Sequence, residues 1–168
     1  TAIAFVGAVA SAQAQSVQAP KEMIQFYSQD WKGERFPDGR PKVSDDLVKR
    51  LKNISIEEAW GVMRGDGFLN QFEGNWQMIR PDEPMAGRVV TAQCMPARPD
   101  MEKPIKAKGK EEGRKGNTNS WPIEVLKEGD VYVADSYGKI VDGTLIGDNL
   151  GNSIYAKSKN GVIFDGSV

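Results

Sequence analysis

Gly147-Asp148-Asn149-Leu150 is the stretch in which residue type and spacing could do chemistry. It follows the apolar Thr144-Leu145-Ile146 and opens a helical stretch containing Ile154, Tyr155 and Ala156. A glycine at such a point permits positive φ or close backbone approach. The unpaired N–H groups of a helix start form a natural cradle for a carboxylate or phosphate. The same residues also read as a plain capped turn. Asp148 accordingly fits two roles, an acid/base group beside the cradle or a cap on the helix. The helix is expected to end at Asn160-Gly161, where the short apolar strand Val162-Ile163-Phe164 leads into Asp165-Gly166. Asp165, like Asp135 earlier in the chain, reads as a strand-end turn residue.

The elements that must position this turn are legible on both sides of it. Val131-Tyr132-Val133-Ala134-Asp135 reads as a compact strand after a Gly129-Asp130 turn, and Lys139-Ile140-Val141 as another before Asp142-Gly143. Residues 87–95 read as a strand ending at Pro96. Ser44 caps a helix with Asp45 and Asp46 in its first turn and Leu47, Val48 and Leu51 on its apolar face. Ser55 and Glu58 have capping-box spacing for a second helix through Ala59, Trp60 and Met63. Ser120-Trp121-Pro122 opens a short helix with proline in its first turn. Residues 97–119, rich in lysine with interleaved glutamates, prolines and glycines, are expected to be a solvated loop. Strands separated by helices indicate an α/β arrangement.

Composition removes whole classes of chemistry. The 168 residues include no histidine and one cysteine, and the net charge is −1. A Ser-His-Asp arrangement, a His-rich zinc site and an intramolecular disulfide are therefore excluded. The charge balance steers the chain toward neither nucleic acid nor anionic lipid. Cys94 lies in an apolar run and is expected to be a buried structural thiol.

The N-terminal part reads differently. Residues 1–14, apolar and small-residue rich with A-x-A-type sites after Ala12 or Ala14, are expected to be the remnant of a secretory signal peptide. Export to the periplasm or medium follows as the expected localisation. The apolar run is too short for a membrane span. Residues 15–43 form a polar extension, which Trp31 and the Phe36-Pro37-Asp38-Gly39 turn are expected to pack onto the domain that follows.

Residues 129–135 (GDVYVAD) and 143–168 (GTLIGDNLGNSIYAKSKNGVIFDGSV) together resemble the family of the regulator of ribonuclease activity A and the metal-dependent 4-hydroxy-4-methyl-2-oxoglutarate aldolases. That family shows a Gly-Asp-Val strand, a Gly-Asp-Leu-like loop opening a helix, and a Gly-Val-Val-Asp-Gly-like strand leading into Arg-Asp. Residues 55–60 and 84–95 fit its early helix and strand more loosely. The resemblance covers residues 44–168, interrupted by the lysine-rich insertion at about 97–119, and its specificity lies in residues 129–168.

The resemblance implies a swivelling β/β/α domain, here without its final part, that assembles as a homotrimer or hexamer. It implies that the backbone of Gly147, Asp148, Asn149 and Leu150 binds the carboxylate of a pyruvoyl substrate, with Asp148 the catalytic candidate. An arginine contacts the keto acid and the adjacent aspartate holds Mg²⁺ or Mn²⁺. Counted forward from Gly147, those two fall directly after Val168, so no metal ligand is expected within residues 1–168. Such chemistry needs no histidine. A hard divalent ion takes oxygen ligands and polarises the carbonyl while the C–C bond breaks.

The implied function is a divalent-metal lyase, an aldolase or decarboxylase, acting on a 2-oxo acid such as a 4-hydroxy-2-oxo acid or oxaloacetate. Two alternatives stand beside it: a non-catalytic interaction protein like the ribonuclease regulator, and a small-acid binding module that keeps only the cradle.

Overall fold

The structure, a computed structural model, describes residues 18–167. The expected signal remnant at 1–14 lies outside them. Six helices and three strands alternate: α1 (Lys21–Tyr27), α2 (Asp45–Leu51), α3 (Ile56–Gly65), β1 (Arg88–Gln93), α4 (Pro99–Glu111), α5 (Trp121–Glu124), β2 (Asp130–Thr144), α6 (Asp148–Ser158) and β3 (Val162–Ser167). The strands form one parallel sheet in the order β1-β2-β3. The α/β class expected from the alternation is the class found.

Parallel register explains the core. Val90, Tyr132 and Val162 are lateral partners, and so are Ala92, Ala134 and Phe164. Strand side chains alternate between faces, so these two rows share one side of the sheet. They pack with Ile123 and Leu126 from α5 and its exit, and with Ile146, Leu150 and Ile154 from the entry and inner face of α6. Tyr132 and Ile154 are almost completely buried. Each such side chain contributes about 1.5–3 kcal/mol by leaving water. Burial also pushes the Tyr132 phenol well above its ordinary value, so it stays neutral in the core.

The expected helix starts are present in atomic detail. Ser44 Oγ accepts from the Leu47 N–H at 3.3 Å. The Ser55–Glu58 capping box is reciprocal: the Glu58 N–H donates to Ser55 Oγ at 3.2 Å and the Ser55 N–H donates to Glu58 Oε2 at 2.9 Å. Yet α3 buries no residue, and the apolar Phe68, Leu69, Phe72, Trp76, Met78 and Ile79 that follow it are exposed.

Two expectations need correction. Much of the lysine-rich stretch 97–119 is helical rather than a solvated loop. Pro99 starts α4, the Glu102–Lys106 pair bridges one turn at 2.7 Å, and buried Gly109 lies directly under the Trp121 indole. Glycine is required there, because a Cβ at 109 would collide with the ring. The interior Pro104 removes one helical donor. The two strands expected at 131–135 and 139–141 are one irregular strand, β2. Its pairing with β3 jumps between Asp135 and Lys139 and again between Lys139 and Thr144. Consecutive positive φ at Tyr137 and Gly138 makes the excursion. The N-terminal extension contains α1.

Candidate functional site

β2, α6 and β3 form a parallel strand–helix–strand unit, so α6 starts on the side where the strands end. Ligand sites of open parallel sheets gather at that edge. The last regular row there is Gln93, Asp135 and Asp165, partners across all three strands.

Asp135 serves the backbone, as a turn residue should. Its Oδ1 accepts from the Tyr137 N–H at 2.8 Å and its Oδ2 from Gln93 Nε2 at 3.3 Å. Asp165 is exposed on β3. Cys94 continues β1 past this edge and is half-buried, and its N–H donates to the Asp135 carbonyl at 2.9 Å. Burial raises its thiol above the ordinary value, which suits the structural role expected of it.

Gly147 is the N-cap of α6 and supplies no side-chain cap. Its φ of −106° and ψ of −172° are extended, so positive φ is not the reason for glycine there. Close approach by this chain is not the reason either: a Cβ at 147 would meet no atom within 4 Å. The space above Gly147 is open to an incoming group. Gly147, Asp148 and Asn149 are exposed, while Leu150 turns inward onto the core and anchors the first turn. The Gly147 carbonyl accepts the first helical bond, from the Gly151 N–H at 2.9 Å. Asp148 Oδ1 accepts from the Asn149 N–H at 2.8 Å. One of the first-turn donors is thus already held by the Asp148 carboxylate. An anion entering the cradle would meet the remaining donors, and would compete with Asp148 for this one.

A groove of about 360 Å³ has a lining that reaches Leu145, two residues before Gly147 in the chain. Cys94, Met95, Pro96 and Ala97 form one wall, and the β2 excursion from Ser136 through Leu145 forms the other. This wall depends on the register jumps of β2, which pairing with β3 decides. The Tyr137-Gly138 pair was its only local signal.

Among the described residues no three of Asp, Glu or Cys converge to hold a metal ion. The carboxylates at this edge are either exposed singly or already bonded to backbone, so they do not fit a protein-built metal cage. What residues 147–149 present is an exposed, glycine-led helix start. No helix of the described residues is long and apolar enough to cross a membrane.

The described residues thus form a mixed α/β domain with a small parallel sheet and a helix start that is open at the sheet's carboxyl edge. The RraA-like family model, described as Aldolase/RraA, matches residues 41–168, and the chain belongs to that family. No curated protein matched the chain, and no solved structure did.

Proposed function

We propose that the protein is a lyase that cleaves a C–C bond in a pyruvoyl-containing 2-oxo acid, such as a 4-hydroxy-2-oxo acid or oxaloacetate. The observation that carries this reading is the open start of α6 at Gly147, at the carboxyl edge of the sheet, in a chain of the Aldolase/RraA family. The amides of residues 147–150 hold the substrate carboxylate, and the positive end of α6 favours its charge. Asp148 is placed to hold or move a proton once substrate displaces it from the Asn149 amide. The groove whose lining reaches Leu145 has room for the rest of the acid.

Mg²⁺ or Mn²⁺ belongs to this proposal as the cofactor that the family resemblance implies, and no described residue is assigned to hold it. When bound, it would supply charge to stabilise the enolate. The described residues supply orientation and the proton.

The swivelling arrangement and homotrimeric or hexameric assembly also belong to the proposal. The exposed large apolar side chains after α3, between Phe68 and Ile79, support assembly, which would take them out of water. Export remains proposed from residues 1–14, and N-terminal sequencing of the secreted protein tests it: a retained Thr1 contradicts cleavage.

A titration of the ¹⁵N-labelled protein with pyruvate tests the cradle. The amide signals of Asp148, Asn149 and Leu150 should move together and saturate. Unmoved signals at those three residues contradict the carboxylate site.

A further inference from the structure

We propose that residues 28–43 are an intramolecular clasp, in which the turn from Phe36 to Arg40 closes on Asp130 and ties together the starts of β1 and β2. The working domain then begins upstream of residue 41, where the family match starts.

Asp130 opens β2, and its side chain is 0 % exposed. Two guanidiniums flank it: Arg40 Nη2 at 3.5 Å from Oδ2 and Arg88 Nε at 3.7 Å from Oδ1. Oδ2 also accepts from the Lys127 N–H at 2.9 Å. Oδ1, Arg40 Nη2 and Arg88 Nε lack directional hydrogen bonds, so charge and packing hold the cluster together. A buried carboxylate is costly unless compensated, and removing one partner of a buried pair leaves the other uncompensated. Arg88 comes from β1, within the family match, while Arg40 comes from outside it.

The extension is built to deliver Arg40. The Phe36 N–H donates to the Arg40 carbonyl, and the Gly39 N–H to the Phe36 carbonyl, both at 2.9 Å. Gly39 is buried at φ +95°, a conformation that favours glycine. Asp38 takes the Arg40 N–H at 3.0 Å and Arg40 Nε at 2.9 Å, which aims the guanidinium inward. Arg35 ties the loop to itself through Ser28 and the Gly39 carbonyl. The Phe36 ring then collects three cations: Lys127 Nζ lies 4.6 Å from its centroid, and the Cζ atoms of Arg40 and Arg88 lie 5.3 and 5.7 Å away. From the other side, Arg88 donates to the Val43 and Glu128 carbonyls at 3.0 and 2.8 Å. The clasp thus holds β1, β2 and the extension at the edge opposite the cradle.

Amide hydrogen exchange on the full chain tests this. Arg40→Ala should speed exchange at Phe36, Gly39 and Arg88 on the order of tenfold or more. Asp130→Asn added to Arg40→Ala should slow those amides again relative to Arg40→Ala alone, because the uncompensated charge is gone. Should Arg40→Ala be too unstable to measure, Arg40→Lys, which keeps charge but loses the fork, should speed the same amides to a smaller extent. Unchanged exchange at Phe36 and Gly39 in the folded variant, or effects of Arg40→Ala and Asp130→Asn that simply add, would overturn the clasp.

Discussion

The Phe164 ring stands edge-on to the Tyr132 ring, with centroids 5.5 Å apart and planes at 85°. The pair joins the middle of β3 to the buried first part of β2, one residue before Asp165. Edge-to-face geometry brings the positive rim of one ring to the negative face of the other, and adds to the area both bury. Full truncation of a core phenylalanine costs about 3–5 kcal/mol, so half-buried Phe164→Ala should lose about 2–3 kcal/mol in urea unfolding. Phe164→Leu should lose less. A loss of Phe164→Ala within about 0.5 kcal/mol of zero would mean that β3 is not pinned at this point.

Gly109 makes α4 more than a solvated helix. Gly109→Ala puts a methyl where the Trp121 indole lies, in a buried contact with no room to spare. Overpacking of this kind costs about 1–3 kcal/mol, against the fraction of a kcal/mol that alanine returns as a better helix former. Thermal unfolding should show a clear fall in midpoint, and Trp121→Leu in the Gly109→Ala background should recover part of it. A midpoint that rises in Gly109→Ala would show that the ring moves aside freely.

Cys94 should react slowly. Burial lifts its thiol above the ordinary value, so little thiolate is present near neutrality. Alkylation by iodoacetamide in the folded protein should be at least about tenfold slower than in urea at the same pH. Equal rates would make Cys94 an exposed, ordinary thiol.

Two carboxylates on the N-terminal side carry an acid dependence. Burial works against ionised Asp38, but the N–H and guanidinium of Arg40 outweigh it and hold the carboxyl below its ordinary 3.8. Asp45 is held below the same value by its hydrogen bond to Arg88 and the charge behind it. A carboxyl lowered by folding stabilises the fold above its unfolded pKa, and that contribution fades as pH falls through the folded value. The difference in thermal midpoint between the native chain and Asp38→Asn should therefore be full at about pH 6 and shrink steadily below about pH 4. A constant difference into strong acid would contradict this assignment.

Local chemistry made much of this fold readable in the residues. Ser44, Ser55 with Glu58, and Pro122 act within a turn of themselves, so capping patterns place helix starts. The short apolar run Val131-Tyr132-Val133-Ala134 after the Gly129-Asp130 turn marks a strand for the same reason. Features that depend on distant partners were hidden. Nothing near Gly109 in the chain announces Trp121, and nothing near Asp130 announces Arg40 and Arg88. The two-strand reading of 131–141 failed because the register of β2 against β3, not local propensity, decides whether Tyr137-Gly138 ends a strand or bulges it. At the cradle, spacing correctly located a glycine-led helix start, but the backbone angles give glycine a different reason there. The open space above Gly147, not a left-handed conformation, is what a side chain would fill.

Release of pyruvate from oxaloacetate or a 4-hydroxy-2-oxo acid is the most direct measure of the central claim, followed with Mg²⁺ and with EDTA, for the native protein, Gly147→Val and Asp148→Asn. The account predicts metal-dependent release, lost with EDTA. Gly147→Val should raise KM by blocking the cradle, and Asp148→Asn should lower kcat by about 10²-fold or more while the fold stays intact. Equal rates with EDTA, or full activity in both variants, would contradict a metal-dependent lyase that works through residues 147–150.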